Sequence, residues 1–247
     1  MFSLNRILGK LVPLAIASTL AITSFSVSAL PANADEITSS IARGGLLYDK
    51  WYKVIKAPTP EDTHFSWPAS NTNKSGDATQ RCKACHGWDL MGANGAYASG
   101  SYQTGITGLQ KMSGASIESI VAIIKDATHG FGGMMGDQDY IDLANFVSSG
   151  QFDIDAYINR ETKMAIGDIR KGEEYYNTVC SNCHGIDGDK PKDLGTTLGT
   201  LSNKNPWEII QKIMNGQPAE QMPALRAFGP QVSADILAYL QTLPLAE

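Results

Sequence analysis

Residues 82–89, CKACHGWD, and residues 180–187, CSNCHGID, decide the fold of this chain. The two segments contain all four cysteines of its 247 residues, and each has the form C-x-x-C-H-G-x-D. In the numbering, Cys180 follows Cys82 by 98 positions. This repetition predicts a duplicated chain in which each copy is about 100 residues long.

The repeated pattern admits three interpretations. The cysteines could form disulfides or redox dithiols, or the two pairs could hold one zinc ion. In the third interpretation each C-x-x-C-H binds haem covalently: two thiols add to the porphyrin vinyl groups, and the histidine ligates iron. Only haem attachment accounts for both histidines, which are half of the four in the chain. The sequence therefore predicts two c-type haems, attached through Cys82, Cys85, Cys180 and Cys183, with His86 and His184 as iron ligands.

Both halves resemble class I c-type cytochrome domains, and the whole chain resembles the tandem dihaem c-type cytochromes. The likeness is close in residues 168–244 and looser in residues 37–150. It implies an all-α fold in which a few helices surround each haem, with the first and last helices crossing. Haem then fills much of a core that the apolar side chains of a small domain leave incomplete.

Residues 1–34 have the pattern of a signal peptide. Arg6 and Lys10 precede an uncharged apolar stretch, and Ala32 and Ala34 form a small-x-small cleavage site. An uncleaved membrane anchor is the alternative. We expect export to the periplasm, followed by a first domain at 35–150, a linker at 151–167 and a second domain at 168–247.

The charge of the exported part excludes one class of partner. Without Arg6 and Lys10, 18 basic and 25 acidic residues remain, a formal charge of −7. Nucleic acid needs a positive surface, so we expect redox partner proteins with a basic docking surface instead. No second long apolar segment follows residue 34, so no membrane span is expected after cleavage.

Three helices are predicted in the second half. Asp168 is a candidate N-cap for the first, Pro206 and Gly216 bound the middle one, and Ser233 is a candidate N-cap for the last. Gly172 and Tyr175 or Tyr176 would meet the last helix, as the resemblance implies.

The second haem needs a sixth ligand after His184. Met222 lies in a proline-bracketed loop that matches the family's ligand loop, MPAL, whereas Met214 continues an apolar helical pattern and is expected in the core. The resemblance also implies that the segment around Pro191 orients the His184 ring.

The first half departs from the family pattern. Residues 56–81 form a long polar segment that we expect to be irregular and either to cover the haem edge or to meet a partner. The family's proline after the histidine is missing, which leaves the carbonyl partner of His86 open. Helices are expected at 37–55, 113–130 and 137–150, the first burying Ile41, Leu46 or Leu47, Tyr48 and Trp51.

The sixth ligand of the first haem is expected in the glycine-rich run HGFGGMMGD, residues 129–137. Met134 is the first choice, because it precedes the last helix as Met222 does; Met135 and His129 are the substitutes. His129 is otherwise expected to cap the C-terminus of a helix, and His64 to lie on the surface.

These features predict an electron carrier with two His/Met-ligated haems rather than an enzyme. One alternative is a dihaem oxidoreductase acting on a small inorganic substrate or peroxide at an open site on the first haem. Another is the electron-transfer subunit of a larger redox complex.

Overall fold

The computed structural model describes residues 34–190 and 194–246. Within these ranges the chain is helical, with two isolated bridges, Gly92–Thr107 and Ile158–Ala165, and no longer strand, so the all-α prediction is confirmed there. None of the described helices is long and apolar enough to cross a membrane. The predicted signal peptide, except for Ala34, and Pro191 lie outside the described residues.

The first half contains four helices: α1 Ala34–Val54, α2 Cys82–His86, α3 Ile117–Ile124 and α4 Asp137–Ser149. The apolar face of α1 is buried as predicted, with Leu47 rather than Leu46 in the core. The segment between α1 and α2 is irregular apart from the 3₁₀ turn Gly76–Thr79. Helix α3 ends at Ile124, so the prediction that His129 caps its last turn is wrong; His129 lies in the following turns.

In the described part of the second half there are five helices: α5 Ile169–Tyr175, α6 Ser181–His184, α7 Leu198–Lys204, α8 Pro206–Asn215 and α9 Gly229–Leu240, with a π-helical turn before α6. Asp168 caps α5 by accepting hydrogen bonds from two backbone N–H groups, as predicted. The predicted N-cap at Ser233 is wrong, because α9 begins at Gly229. Pro230 in its first turn presets the helical φ angle there.

The first and last helices of each half cross in backbone contact. A Cβ on Gly44 of α1 would lie 2.0 Å from the carbonyl oxygen of Asp142 in α4. A Cβ on Gly172 of α5 would lie 1.9 Å from the carbonyl oxygen of Asp235 in α9. Only glycine allows helices to approach this closely. The crossing that the resemblance implied therefore occurs in both halves.

A tyrosine one turn after each of these glycines reaches the cysteine motif. The hydroxyl of Tyr48 donates a 2.6 Å hydrogen bond to the carbonyl of Gly87. The hydroxyl of Tyr176 donates a bond of the same length to the carbonyl of Gly185. Each acceptor directly follows the motif histidine, so the crossing fixes the position of the motif through this bond.

The two halves share an apolar cluster. Trp88 and Tyr97 of the first half belong to the same buried cluster as Ile210 of the second. The linker contributes Ile154 and Ile158, which are 4% and 0% exposed in that cluster. The linker is therefore packed into the protein, and all described residues belong to one compact unit.

A buried carboxylate also joins the halves. Asp49 of α1 is 3% exposed and forms ion pairs with Arg81, directly before α2, and with Lys212 of α8, at 2.9 Å. Burial alone would raise the pKa of Asp49. The positive charges of Lys212 and Arg81 outweigh burial, so the pKa lies below its ordinary value.

Replacing Gly172 by alanine tests the crossing of α5 and α9. The added methyl group would collide with the Asp235 carbonyl, so we expect a loss of about 1–3 kcal/mol or more in the free energy of unfolding. Alanine favours helix over glycine by about 1 kcal/mol, so a stabilised variant would contradict the contact. Urea unfolding of the haem-loaded protein measures the change, with the exposed neighbour Glu173→Ala as control.

Replacing Asp49 by asparagine leaves Arg81 and Lys212 without their buried counter-charge. We expect a loss of about 3–5 kcal/mol at neutral pH. Because the folded-state pKa of Asp49 is depressed, its contribution is present above the ordinary carboxyl pKa of about 4 and is lost as pH falls further. The gap between wild type and variant should therefore narrow in acid. Urea unfolding over a pH series measures it, and the exposed Asp62→Asn should show no such gap.

Candidate haem sites

An apolar cavity of about 370 Å³ lies beside the first cysteine motif. Its lining includes Cys82, Cys85 and His86 of α2 on one side and His129 from the loop after α3. Apolar side chains of α3 and α4 complete the wall, among them Ile120, Ile124, Leu143 and Val147. The volume falls within the usual range for cofactor pockets, about 300–1,000 Å³.

The ring of His86 is oriented by the backbone. Its Nδ1 lies 2.8 Å from the carbonyl oxygen of Thr107. A carbonyl can only accept, so Nδ1 carries the proton and Nε2 keeps its lone pair. Burial lowers the pKa of His86, and neighbouring His129 acts in the same direction, so the ring is neutral, as metal ligation requires. The carbonyl partner that the sequence left open is therefore Thr107.

The ring of His129 lies close to that of His86, and both residues line the cavity. Their centroids are 6.3 Å apart, and the ring planes are inclined by 22°. His129 Nδ1 lies 3.1 Å from the Asp126 carboxylate, which also accepts from the backbone N–H groups of Thr128 and His129 at 2.8 Å each. This carboxylate fixes the ring and leaves Nε2 available, as it is in His86.

His64 supports the same loop, and the prediction that it lies on the surface is wrong. It is 9% exposed and stacks on Phe65, with ring centroids 4.6 Å apart. Its Nδ1 accepts from the Ser66 N–H at 3.2 Å, so its Nε2 carries the proton and donates to the His129 carbonyl at 2.9 Å. The 56–81 segment therefore contacts the loop that holds His129.

The methionines of the first half take different positions. Met134 is 49% exposed and is not among the residues that line the cavity. Met135 is 9% exposed and packs in the core of the first half. Met112 does line the cavity. Of the three ligand candidates chosen from the sequence, the structure brings only His129 to the cavity with His86.

The second motif lies at the junction of the π-helical turn and α6. His184 Nδ1 is 3.3 Å from the carbonyl oxygen of Lys190, the residue before the undescribed Pro191. Met222 is partly buried on a loop fixed to α8, because the Leu225 N–H donates to the Ile213 carbonyl at 3.0 Å. Met214 is 2% exposed within α8, which confirms its predicted place in the core.

Three of the four cysteines, Cys82, Cys85 and Cys180, are neutral thiols. Burial raises the pKa of Cys82 to about 12 and that of Cys85 and of Cys180 to about 11. All four cysteines are free, and no cluster of three or more potential metal-ligating side chains occurs in the described ranges. The two pairs thus form neither disulfides nor a shared zinc site in the described residues. At the first motif, the paired thiols, the neutral His86 and the apolar cavity fit covalently attached haem.

Lys83 occupies a position within the first motif that the sequence did not single out. It is 4% exposed, and its Nζ lies 4.1 Å from the ring centroid of Tyr102 and 5.4 Å from that of Trp88. The attraction of the ammonium group to these aromatic rings compensates only in part for its lost hydration. Burial, with Arg81 acting in the same direction, lowers the pKa of Lys83 to about 7.

A short helix that presents two thiols and a histidine to an apolar cavity defines a c-type cytochrome site. Residues 167–240 match the family described as cytochrome c oxidase, cbb3-type, subunit III. The chain is also 32% identical over 90 residues to a cytochrome c-553-like protein of Synechocystis sp.. The aligned residues make up 36% of this chain and 81% of that protein. No solved structure matches. The chain belongs to the c-type cytochromes, electron-transfer proteins with covalently bound haem.

Sequence reasoning missed Thr107 and Asp126 at the first site and placed His64 on the surface, although it is buried. Thr107 and His64 act through contacts between distant parts of the chain, for which the sequence contains no local signal. Asp126 and His129, in contrast, belong to the short run DATH. An acidic residue three positions before a histidine is a pattern from which the side-chain contact could have been predicted.

The low pKa of Lys83 predicts a stability that rises with pH. In the unfolded chain a lysine has a pKa of about 10.4. Above about pH 7, then, the unfolded state binds a proton that the folded state has released, and folding becomes more favourable with pH. The slope should approach at most about 1.4 kcal/mol per pH unit. Chemical unfolding over a pH series measures the slope of the free energy of unfolding against pH for wild type and for Lys83→Met. Equal slopes in the two proteins would contradict the lowered pKa of Lys83. The exposed Lys53→Met is the control and should keep the wild-type slope.

Proposed function

We propose that this protein is an exported, periplasmic dihaem cytochrome that carries electrons between redox partners. The observation that carries the proposal is that one arrangement occurs twice. In each half a C-x-x-C-H-G motif receives a tyrosine hydroxyl bond on its glycine carbonyl, from a helix that crosses the last helix at a glycine. A chain that positions both motifs by the same contacts has two sites built alike.

Each site has its own set of residues for haem. In the first, Cys82 and Cys85 form the thioether links and His86 is the proximal ligand. In the second, Cys180 and Cys183 attach the ring, and His184 and Met222 are the axial ligands. Bound haem supplies a one-electron couple between ferrous and ferric iron. The side chains keep that couple in a largely apolar environment and fix the ligands that set its potential.

The family relation suggests a carrier rather than an enzyme. An oxidoreductase acting on peroxide or a small inorganic substrate needs an open coordination position. In the second site, the loop with Met222 is fixed to α8 through the Leu225 hydrogen bond. In the first, the ring of His129 lines the same cavity as His86, with the two ring centroids 6.3 Å apart. Both arrangements favour filled coordination.

A subunit role is supported by a different observation. Residues 167–240 match the family of subunit III of cbb3-type cytochrome c oxidase. This chain could then deliver electrons within a larger redox complex rather than between free partners. In either role, its net acidic charge favours a partner with a basic docking surface.

The packed contact between the halves suits transfer within the chain. The Asp49 ion pairs and the shared cluster with Trp88 and Ile210 hold the two motifs in one unit. A fixed separation gives a constant rate of transfer between two redox centres, whereas a flexible linker gives a broad range. The halves therefore act as one two-centre carrier.

Counting haems tests the proposal. The protein, matured in a host that attaches haem in the periplasm, should contain two haems per chain by intact mass and by haemochrome absorbance. Cys82→Ser with Cys85→Ser should remove one, and Cys180→Ser with Cys183→Ser should remove the other. Asn182→Ala, which changes a residue between the second pair of cysteines, should keep both. A single haem in the wild type would contradict the dihaem proposal. Rapid turnover of peroxide would contradict the role as an electron carrier.

A further inference from the structure

The gap between His86 and His129 has the width of one bound metal ion. A transition-metal ion lies about 2 Å from an imidazole nitrogen. Two imidazoles on opposite sides of one ion therefore have ring centroids about 6 Å apart. The observed centroids are 6.3 Å apart and the planes are inclined by only 22°. Two imidazoles that ligate one ion from opposite sides lie end to end, each pointing a ring nitrogen at the ion, and the observed centroid separation matches that arrangement.

The hydrogen bonds of both rings leave the same nitrogen available. His86 donates from Nδ1 to the Thr107 carbonyl, and His129 donates from Nδ1 to the Asp126 carboxylate. Metal-ligating histidines commonly donate their second ring N–H to a carbonyl or a carboxylate. Nothing in helix capping accounts for His129, because α3 ends at Ile124.

The loop that holds His129 is fixed from a second direction. His64 donates to the His129 carbonyl at 2.9 Å, and the Ser66 hydroxyl donates to the Thr128 carbonyl at 2.5 Å. Gly130 follows with φ of +68°, and a Cβ there would lie 2.6 Å from the Phe65 ring. The 56–81 segment, which the family pattern does not explain, thus positions this histidine.

We propose that His129 is the distal iron ligand of the first haem, so that this haem has two histidine ligands and the second has His184 and Met222. The proposal rests on the proposed function, because it presupposes two haems. It replaces Met134, whose side chain is half exposed and does not line the cavity.

Unequal ligands give the two centres unequal potentials. A methionine ligand raises the reduction potential of a haem, and a second histidine does not. The first haem therefore has the lower potential of the two. One electron from a donor protein reduces the first centre to the ferrous state. It then passes to the second, so that the first returns to ferric and the second becomes ferrous; no bond forms or breaks. A one-electron acceptor protein then oxidises the second centre.

Magnetic circular dichroism and EPR of the oxidised dihaem protein test the ligands. We expect two low-spin haems but one near-infrared methionine–iron band, which Met222→Ala removes. In His129→Ala, one haem of the two should become high-spin and return to low-spin with added imidazole, while the band remains. Two methionine–iron bands in the wild type would overturn the proposal. That wild-type spectrum decides the question even if His129→Ala does not accumulate.

Three matched variants address the competing methionines. Met112→Leu, Met134→Leu and Met135→Leu should each leave both low-spin signals and the single band unchanged. Loss of a low-spin signal or of a band in any of them would assign the ligand to that methionine instead and overturn the role of His129. Each change keeps an apolar side chain of similar size, so packing is largely preserved.

A redox titration tests the direction of transfer. Two separate potentials are expected, and His129→Met should raise the lower one while the upper one stays in place. If His129→Met raises the upper potential instead, the first haem is the acceptor and the inferred direction is wrong. Failure of the proposed function gives a different result from failure of the ligand assignment. In that case the protein would contain one haem, or two haems that do not exchange electrons with any protein partner.

Discussion

The backbone contact between the first and last helices is the constraint on which each half depends. Because Gly44 and Gly172 have no side chain, α1 lies directly on α4 and α5 on α9. That approach determines where Tyr48 and Tyr176 stand one turn later, and each tyrosine binds the carbonyl after a motif histidine. A local steric requirement thus fixes the placement of two cysteines and a histidine that lie far away in the sequence.

The first site adds a second layer of constraint that the other site lacks among the described residues. The segment between α1 and α2 is long and polar, yet it is held by specific bonds. Trp51 donates to the Gln80 carbonyl, and Tyr52 donates to the Asp77 carboxylate. Fixed at this end, the segment can present His64 to the loop that holds His129. A segment of unusual length for a compact domain thus positions the loop that contains His129.

Much of the fold could be predicted because covalent chemistry imposes spacing. C-x-x-C-H is a local pattern, and Asp168, Pro206 and Gly216 mark helix ends by local rules. The candidate first site could not be predicted as fully. The contact between His86 and His129 joins residues 43 positions apart in the numbering, so no local sequence pattern predicts it. Position along the chain alone made Met134 the natural choice, by analogy with Met222. Ser233 failed for a related reason: Pro230 starts the helix one turn earlier.

The shared apolar cluster limits how this chain can change in evolution. Trp88 directly follows the first motif and its glycine, yet it is buried with Ile210 and Ile158 in the core of the other half. Neither half is therefore a self-contained module: cutting the chain in the linker would expose a tryptophan on one piece and open a void in the other. Gene fusion or shuffling could exchange the pair as a unit, but exchanging one half alone would demand matching changes in its neighbour. The two halves are in this way a single structural unit that would be inherited together.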